Sequence, residues 1–113
     1  MAMIDVSVII TTKNTQAYIG DCLESIKKQD YPLGTTEAIV VDNNSTDRTA
    51  FIAKQYTDKV YNFGPERSAQ RNFGVKQASG KYILYLDADM VLSKNVLSEC
   101  FRKCENEGYI ALY

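Results

Sequence analysis

Two carboxylates, Asp87 and Asp89, stand two residues apart directly after the apolar run at residues 82–86. Like charges this close repel each other, so a cation is expected to offset them. Carboxylate oxygens are ligands that the hard ions Mg²⁺ and Mn²⁺ prefer, and such ions commonly bridge protein carboxylates to substrate phosphates. The pair therefore predicts a divalent-cation site, with an ordinary polar turn as the alternative.

Asp42 follows a second apolar run, at residues 38–41. A carboxylate at a strand end can accept a hydrogen bond from a nucleobase N–H or a ribose hydroxyl. The alternative is that Asp42 begins a turn and that Ser45, Thr46 or Asp47 caps the next helix. Capping does not explain an Asp at the strand end itself, so Asp42 is predicted to contact a nucleotide.

Two arginines, Arg67 and Arg71, lie four residues apart near the start of a predicted helix. Residues at this spacing share one helix face, and a planar guanidinium suits phosphate oxygens or a base carbonyl. The alternative is a solvated helix face on which Glu66 is an ion-pair partner. Both arginines are therefore candidates for contact with an anionic ligand.

Strand and helix patterns alternate along the chain. Apolar runs rich in β-branched and aromatic residues predict strands over residues 6–10, 38–41, 60–62, 82–86 and 109–113. Helical spacing predicts a first helix capped by Asn14 or Thr15, a second over 47–56, a third from Glu66 or Ser68 to Gln77, and a last one between Ser93 and Gly108. This order predicts an α/β fold, a mainly parallel sheet with helices on both faces.

Polar residues are concentrated after three of these strands. In parallel sheets of this type, ligands bind beyond the carboxyl ends of the strands. The clusters are residues 11–14 (Thr-Thr-Lys-Asn), 42–44 (Asp-Asn-Asn) and 87–89 (Asp-Ala-Asp). We therefore predict one ligand site built from all three.

Composition narrows the class of protein. The 113 residues suit a single domain, 1–113, and a net charge of −1 gives no general attraction to nucleic acid or anionic lipid. Three cysteines are too few for a disulfide framework and fit a cytoplasmic location. A signal peptide and an apolar run long enough to span a membrane are both missing from this sequence. The natural protein could still lie at the cytoplasmic face of a membrane.

Several enzyme classes lack their essential residues here. The first strand is not followed by G-x-G-x-x-G, and the chain has no Walker loop, which excludes dinucleotide-binding Rossmann units and P-loop NTPases. With no histidine, histidine-based triads and zinc hydrolase sites are excluded as well. A nucleotidyltransferase would need a Gly-rich loop after the first strand, and residues 11–15 contain no glycine.

Five segments in order resemble the inverting glycosyltransferases of family 2, which have the Rossmann-like GT-A fold. The segments are residues 6–14, the helix at 18–26, the stretch 38–47 (similar to E-I-I-V-V-D-D-x-S-x-D), the helix 68–74 (similar to A-x-R-N-x-G) and residues 80–89, which lead into an Asp-x-Asp motif. The resemblance covers essentially the whole chain and implies the nucleotide-sugar-binding half of such an enzyme, truncated after the fifth strand.

The resemblance also implies roles for individual residues. Asp42 would contact the base, typically uracil, and Asp89 would ligate Mg²⁺ or Mn²⁺ on the diphosphate of a nucleotide-diphospho-sugar. Asp87 would approach the ribose or the metal. The remaining nucleotide-binding candidates are Thr11, Thr12, Asn14, Asn44, Arg67, Arg71 and Ala88.

Two departures from the family pattern stand out. The family usually has Pro at the position of Thr12, and Asn43 replaces the second residue of the usual Asp-Asp pair. The general base and the acceptor-binding elements are expected beyond Tyr113, so the catalytic residue and the acceptor are unknown, and the chain alone is expected to bind donor but to transfer sugar poorly. The alternative is a non-catalytic nucleotide-binding or self-associating module, which would form a homodimer through an exposed sheet edge.

Overall fold

The computed structural model describes residues 6–29, 36–99 and 111–112. The strands are β1 (Val6–Thr12), β2 (Thr36–Asp42), β3 (Val60–Asn62), β4 (Tyr82–Asp87) and β5 (Ala111–Leu112). The helices are α1 (Ile19–Lys27), α2 (Thr49–Ala53) and α3 (Arg67–Gln77), and residues 96–99 are also helical. Of the predicted last helix and fifth strand, residues 100–110 and 113 lie outside the described part.

The strands form one sheet in the order β3-β2-β1-β4-β5, and every pair of neighbours is parallel. The chain moves outward from β1 through β2 to β3 and then returns to the other side of β1 with β4. The order therefore reverses between β1 and β4, and a parallel sheet offers a ligand crevice at such a reversal. The predicted α/β fold is confirmed.

Helices cover both faces of the sheet. Val8 and Ile10 of β1 belong to a buried cluster with Ile19 and Cys22 of α1, and Ala53 of α2 joins the same cluster. Ile9, whose side chain points to the opposite face, packs in a second cluster with Ile39, Val41 and Phe73 of α3. All seven residues of β1 are buried because the strand is covered on both sides.

The start of α1 differs from the prediction. Asn14 and Thr15 do not cap the helix, because residues 15–18 form a turn in which the Thr15 carbonyl accepts hydrogen bonds from Tyr18 N (2.9 Å) and Ile19 N (2.8 Å). Tyr18 is the N-cap residue and makes no side-chain capping bond. The prediction of the cap was therefore wrong.

Helix α2 is shorter than the predicted 47–56. Asp47 lies before the helix, where its carboxylate accepts a hydrogen bond from Thr49 N at 2.9 Å. After Ala53 the backbone tightens into turns, in which Gln55 N donates to Ile52 O and Tyr56 N to Ala53 O. The third helix agrees with its prediction, since Glu66 is its N-cap and Gln77 its last residue.

Gly74 is the point of closest approach between α3 and the sheet. A Cβ atom built on Gly74 would lie 2.5 Å from Ile9 Cγ2 and 3.3 Å from Val41 Cγ2. Distances of this kind are overlaps between side chains of a close-packed core. The missing side chain therefore sets how near α3 lies to β1 and β2.

We expect Gly74→Ala to destabilise the fold. Overpacking a core typically costs about 1–3 kcal/mol, and the better helix propensity of Ala returns only about 1 kcal/mol. Gly20→Ala in α1 is the matched control, because its Cβ would meet Ile52 Cγ2 at an ordinary 3.6 Å. Urea unfolding should show a lower free energy of unfolding for Gly74→Ala than for the wild type and no loss for Gly20→Ala. Equal free energies of unfolding for the two variants would contradict the close approach of α3 to the sheet.

Glu37 is a buried carboxylate in β2, far along the strand from Asp42. It accepts hydrogen bonds from Lys59 Nζ, from Ser7 Oγ of β1 and from Ser79 N, which precedes β4. Burial opposes its ionisation, but these hydrogen bonds outweigh burial and lower the pKa of Glu37 below the ordinary value of 4.5. The ionised carboxylate therefore connects β1, β2 and the segment that leads into β4.

Glu37→Gln should lower the free energy of unfolding at pH 7 by about 2 kcal/mol, since it weakens several hydrogen bonds at once. Because the folded-state pKa is depressed, the contribution of Glu37 is complete above its unfolded-state pKa and is lost as the pH falls through the folded-state value. The difference in free energy of unfolding between the wild type and Glu37→Gln should therefore become smaller in strongly acidic buffer. Glu24→Gln, which removes an exposed pair with Lys28, should change stability by less than about 1 kcal/mol.

Candidate functional site

Three strands end at one edge of the sheet and bring the predicted site residues together. Thr12 of β1 lies opposite Asp42 of β2, and Thr11 lies opposite Asp87 of β4. Thr12, Asp42 and Asp87 are the last residues of their strands rather than the first ones of the loops, because the ladders continue through them. Asp42 and Asp87 therefore flank β1 at the point where the strand order reverses.

A cavity of about 420 Å³ opens at this edge. Six of the predicted site residues line it: Thr11, Thr12, Arg67, Asp87, Ala88 and Asp89. They come from the ends of β1 and β4 and from the first turn of α3. The structure thus gathers the two carboxylates and an arginine around one space.

Asp42 lies beside this cavity but outside its lining. The residue is only 4% exposed, and its carboxylate accepts hydrogen bonds from Ser45 N at 3.3 Å and from Ser45 Oγ. A carboxylate offers about four lone-pair positions, so these two bonds leave acceptor capacity. The predicted contact between Asp42 and a base stays a prediction.

Asn14 and Asn44 hold the loops that border the cavity. Both have left-handed backbones, with φ of 50° and 49°, a conformation that Asn tolerates better than most residues. Asn14 Oδ1 accepts a hydrogen bond from Thr46 N at 2.8 Å, and Asn44 N donates to Asn62 Oδ1 at 2.8 Å. Neither residue lines the cavity, so their role as nucleotide ligands is untested.

The two arginines of α3 occupy different surroundings. Arg67 lines the cavity, and its Nε lies 3.9 Å from Asp87 Oδ1. The guanidinium of Arg71 lies over the ring of Tyr85, 5.2 Å from the centroid. Both arginines were predicted as candidates for contact with one ligand. Of the two, Arg67 lines the cavity and Arg71 does not.

Cys22 packs behind the Asp-x-Asp segment. Its Sγ lies 3.9 Å from the Asp87 carbonyl oxygen. Burial, together with the negative charges of Asp89 and Asp87, raises the pKa of the Cys22 thiol to about 12. The thiol therefore stays protonated and serves as a small apolar group rather than a nucleophile.

The carboxylates fit a divalent cation. Asp87 Oδ1 is buried and has no hydrogen-bond partner among the described residues, and such an atom is normally satisfied by a polar group or an ion. No cluster of three or more His, Cys, Asp or Glu side chains suited to a metal occurs in the described part of the chain. A cation held by Asp87 and Asp89 would therefore need oxygens from water and from a bound phosphate, which is the usual environment of Mg²⁺.

Six further residues line the cavity and were not predicted as site residues: Lys13, Thr15, Tyr18, Asn43, Pro65 and Gln70. Lys13 and Asn43 belong to the polar clusters at the strand ends, which was a usable signal. Tyr18 was predicted only as the first residue of the helical segment 18–26, and its side chain is 57% exposed. The sequence around Gln70 did not indicate a site residue, because the contacts of this side chain depend on how α3 packs against the sheet.

The sheet order and the helix placement define an α/β domain of the GT-A type, shared with solved glycosyltransferase structures. The Staphylococcus aureus TarS fragment 1–349 in complex with UDP superposes with a TM-score of 0.83 at 32% identity, over 93% of this chain and 33% of that one. The mannosyltransferase PcManGT from Pyrobaculum calidifontis, solved with GDP-Man and Mn²⁺, gives a TM-score of 0.82 at 25% identity, over 93% and 33% of the two chains.

Residues 7–113 match the model of Glycosyl transferase family 2, so the chain belongs to that family. The sequence is 36% identical over 106 residues to the poly(ribitol-phosphate) β-N-acetylglucosaminyltransferase TarS of S. aureus, a match that covers 86% of this chain and 18% of TarS. It is 33% identical to a Campylobacter jejuni β-1,3-glucosyltransferase that acts on GalNAc(5)-diNAcBac-PP-undecaprenol, over 95% of this chain and 36% of that enzyme. The chain thus spans about a fifth to a third of these relatives.

The helices within the described residues are all too short or too polar to cross a bilayer.

Proposed function

We propose that this chain binds the donor of a sugar transfer, a nucleotide-diphospho-sugar, together with Mg²⁺ or Mn²⁺. The observation that carries the proposal is the convergence of Thr11, Asp87, Asp89 and Arg67 on one cavity at the reversal of the strand order. Membership in the glycosyltransferase family supports it. The UDP complex of TarS favours a uridine nucleotide as the donor.

In the proposed complex, the base and the diphosphate lie at the ends of different strands. Asp42, at the end of β2, would accept a hydrogen bond from the base, and Thr11 and Thr12 would line the base and ribose. Asp87 and Asp89, at the end of β4, would hold the cation against the diphosphate. Arg67 lies 3.9 Å from Asp87, and its guanidinium would add positive charge for the phosphate oxygens.

In this function the bound cation would offset the negative charge that develops on the leaving diphosphate. The protein would contribute orientation, because the ends of β2 and β4 hold Asp42 and Asp87 on either side of β1, and Asp89 follows in the turn after β4. Arg67 would stabilise the same developing charge from the side of α3. The attacking hydroxyl would come from the acceptor, and we assign no described residue to the removal of its proton.

Titration calorimetry with UDP, with and without Mn²⁺, tests this proposal. We expect Mn²⁺ to tighten UDP binding at least about tenfold, which corresponds to 1.4 kcal/mol. Asp89→Asn should remove this enhancement, because a neutral amide is a weaker ligand for a hard cation. Asp58→Asn, at an exposed position away from the cavity, is the matched control and should bind as the wild type does.

The competing function is a non-catalytic or self-associating module. Light scattering on the same samples measures the mass of the chain in solution. A stable dimer that binds neither UDP nor GDP at any Mn²⁺ concentration would overturn the donor-binding proposal and favour the module.

A cytoplasmic location is part of our proposal and is supported only by the three cysteines.

A further inference from the structure

Gln70 makes a pair of hydrogen bonds that the proposed donor site does not use directly. The residue lies in the first half of α3 and is only 5% exposed. Its side-chain Nε2 donates to the Val41 carbonyl at 2.8 Å and to the Thr12 carbonyl at 3.3 Å. One helix side chain therefore connects the carboxyl ends of β1 and β2.

This bridge needs an amide. An uncharged Gln side chain carries two N–H donors on a single nitrogen, which matches two backbone carbonyls from neighbouring strands. A carboxylate of the same shape has no donor, and an apolar side chain has none either. Because Gln70 is buried, the loss of its bonds would leave two strand-end carbonyls without these partners.

The bridge is located where β1 loses its lateral support. The pairing of β1 with β4 ends at Thr11 opposite Asp87, and its pairing with β2 ends at Thr12 opposite Asp42. Beyond that point the Thr12 carbonyl is held by Asn43 N at 2.9 Å and by Gln70. Gln70 therefore fastens this strand end to α3.

The same helix face carries Arg67, three residues before Gln70, and Gly74, four residues after it. Gly74 brings α3 close to Ile9 and Val41, and this approach puts Gln70 within reach of the carbonyls. Gln70 and Arg67 both line the cavity. The distance between the wall formed by Thr12 and the wall formed by Arg67 therefore depends on the Gln70 bridge.

We propose that Gln70 is a positioning residue for donor binding: its amide fixes the end of β1 against α3 and so sets the width of the nucleotide cavity. The binding part of this inference rests on the proposed function. Its structural part, the anchoring of the loop after β1, does not.

Gln70→Met and Gln70→Glu test the inference. Met keeps the length of the side chain and removes both donors, and Glu keeps its shape. With Mn²⁺ present, UDP should bind each variant about tenfold more weakly at pH 7.5, the equivalent of losing one or two net hydrogen bonds. Gln55→Met and Gln55→Glu are the matched controls, since Gln55 is exposed and only bonds within its own turn.

The pH dependence separates positioning from general loss of stability. In Gln70→Glu, the introduced carboxyl group would be buried and would face two carbonyls, which raises its pKa. Arg67 on the same helix face opposes this shift only weakly, because its side chain is 65% exposed. The protonated form would regain one donor. As the pH falls from about 7.5 to about 5.5, Gln70→Glu should therefore recover part of its UDP affinity, measured relative to Gln55→Glu at each pH. Gln70→Met should show no such recovery. Identical profiles for the two Gln70 variants would overturn the inference.

Amide hydrogen exchange of the free chain gives a readout that needs no nucleotide. Gln70→Met should raise exchange about tenfold at Asn14 and Asn43, whose amides donate to Ser45 Oγ and to the Thr12 carbonyl, and leave the centre of β1 unchanged. If the wild type binds neither UDP nor GDP, the proposed function fails, and exchange alone decides whether Gln70 anchors the loop. Unchanged exchange at these amides, or unchanged UDP affinity in a wild type that binds UDP, would contradict the role assigned to Gln70.

Discussion

Helix α3 can lie close to β1 and β2 only because position 74 has no side chain. A Cβ there would overlap Ile9 Cγ2 at 2.5 Å, and the helix would have to move away from the sheet. That movement would separate Arg67 from Asp87, now 3.9 Å apart, and Gln70 from the Thr12 and Val41 carbonyls. The geometry of the cavity therefore follows from a packing contact about two helical turns from Arg67.

The opposite wall depends on hydrogen bonds between loops that are distant in sequence. Asn14 and Gln16, after β1, bond to Thr46 and Arg48, before α2. These contacts hold the two loops together while leaving the strand ends open to ligand. The ends of β2 and β4 thus supply Asp42 and Asp87, and the loop after β1, which these bonds tie to the loop before α2, lines the cavity with Lys13 and Thr15.

Periodicity and composition predicted most of the fold, because buried parallel strands require continuous apolar runs such as residues 38–41. They also predicted that Asp42, Asp87 and Asp89 would meet at one edge. Local patterns did not predict the short α2 or the start of α1. At these places Asp47 accepts a hydrogen bond from Thr49 N, and the Thr15 carbonyl accepts hydrogen bonds in a turn before the helix. Helix propensity does not take such bonds into account. The hydrogen bonds of Gln70 could not be predicted from the sequence either, because they depend on how α3 packs against the carbonyls at the strand ends.

Under the proposed function, the choice of one base over another would depend on the same geometry. A carboxylate such as Asp42 accepts an N–H from the imide of uracil, and it accepts the ring N–H of guanine equally well. Among the solved structures that resemble this chain, one is a complex with UDP and one a complex with GDP-Man and Mn²⁺, and a hydrogen bond to Asp42 alone would not discriminate between their bases. If Thr11 and Thr12 line the base as we propose, a purine would need a wider slot beside them than a pyrimidine. The width of that slot would follow the contact between the end of β1 and α3, which includes the hydrogen bond from Gln70 to the Thr12 carbonyl, and base selectivity would then depend on helix packing.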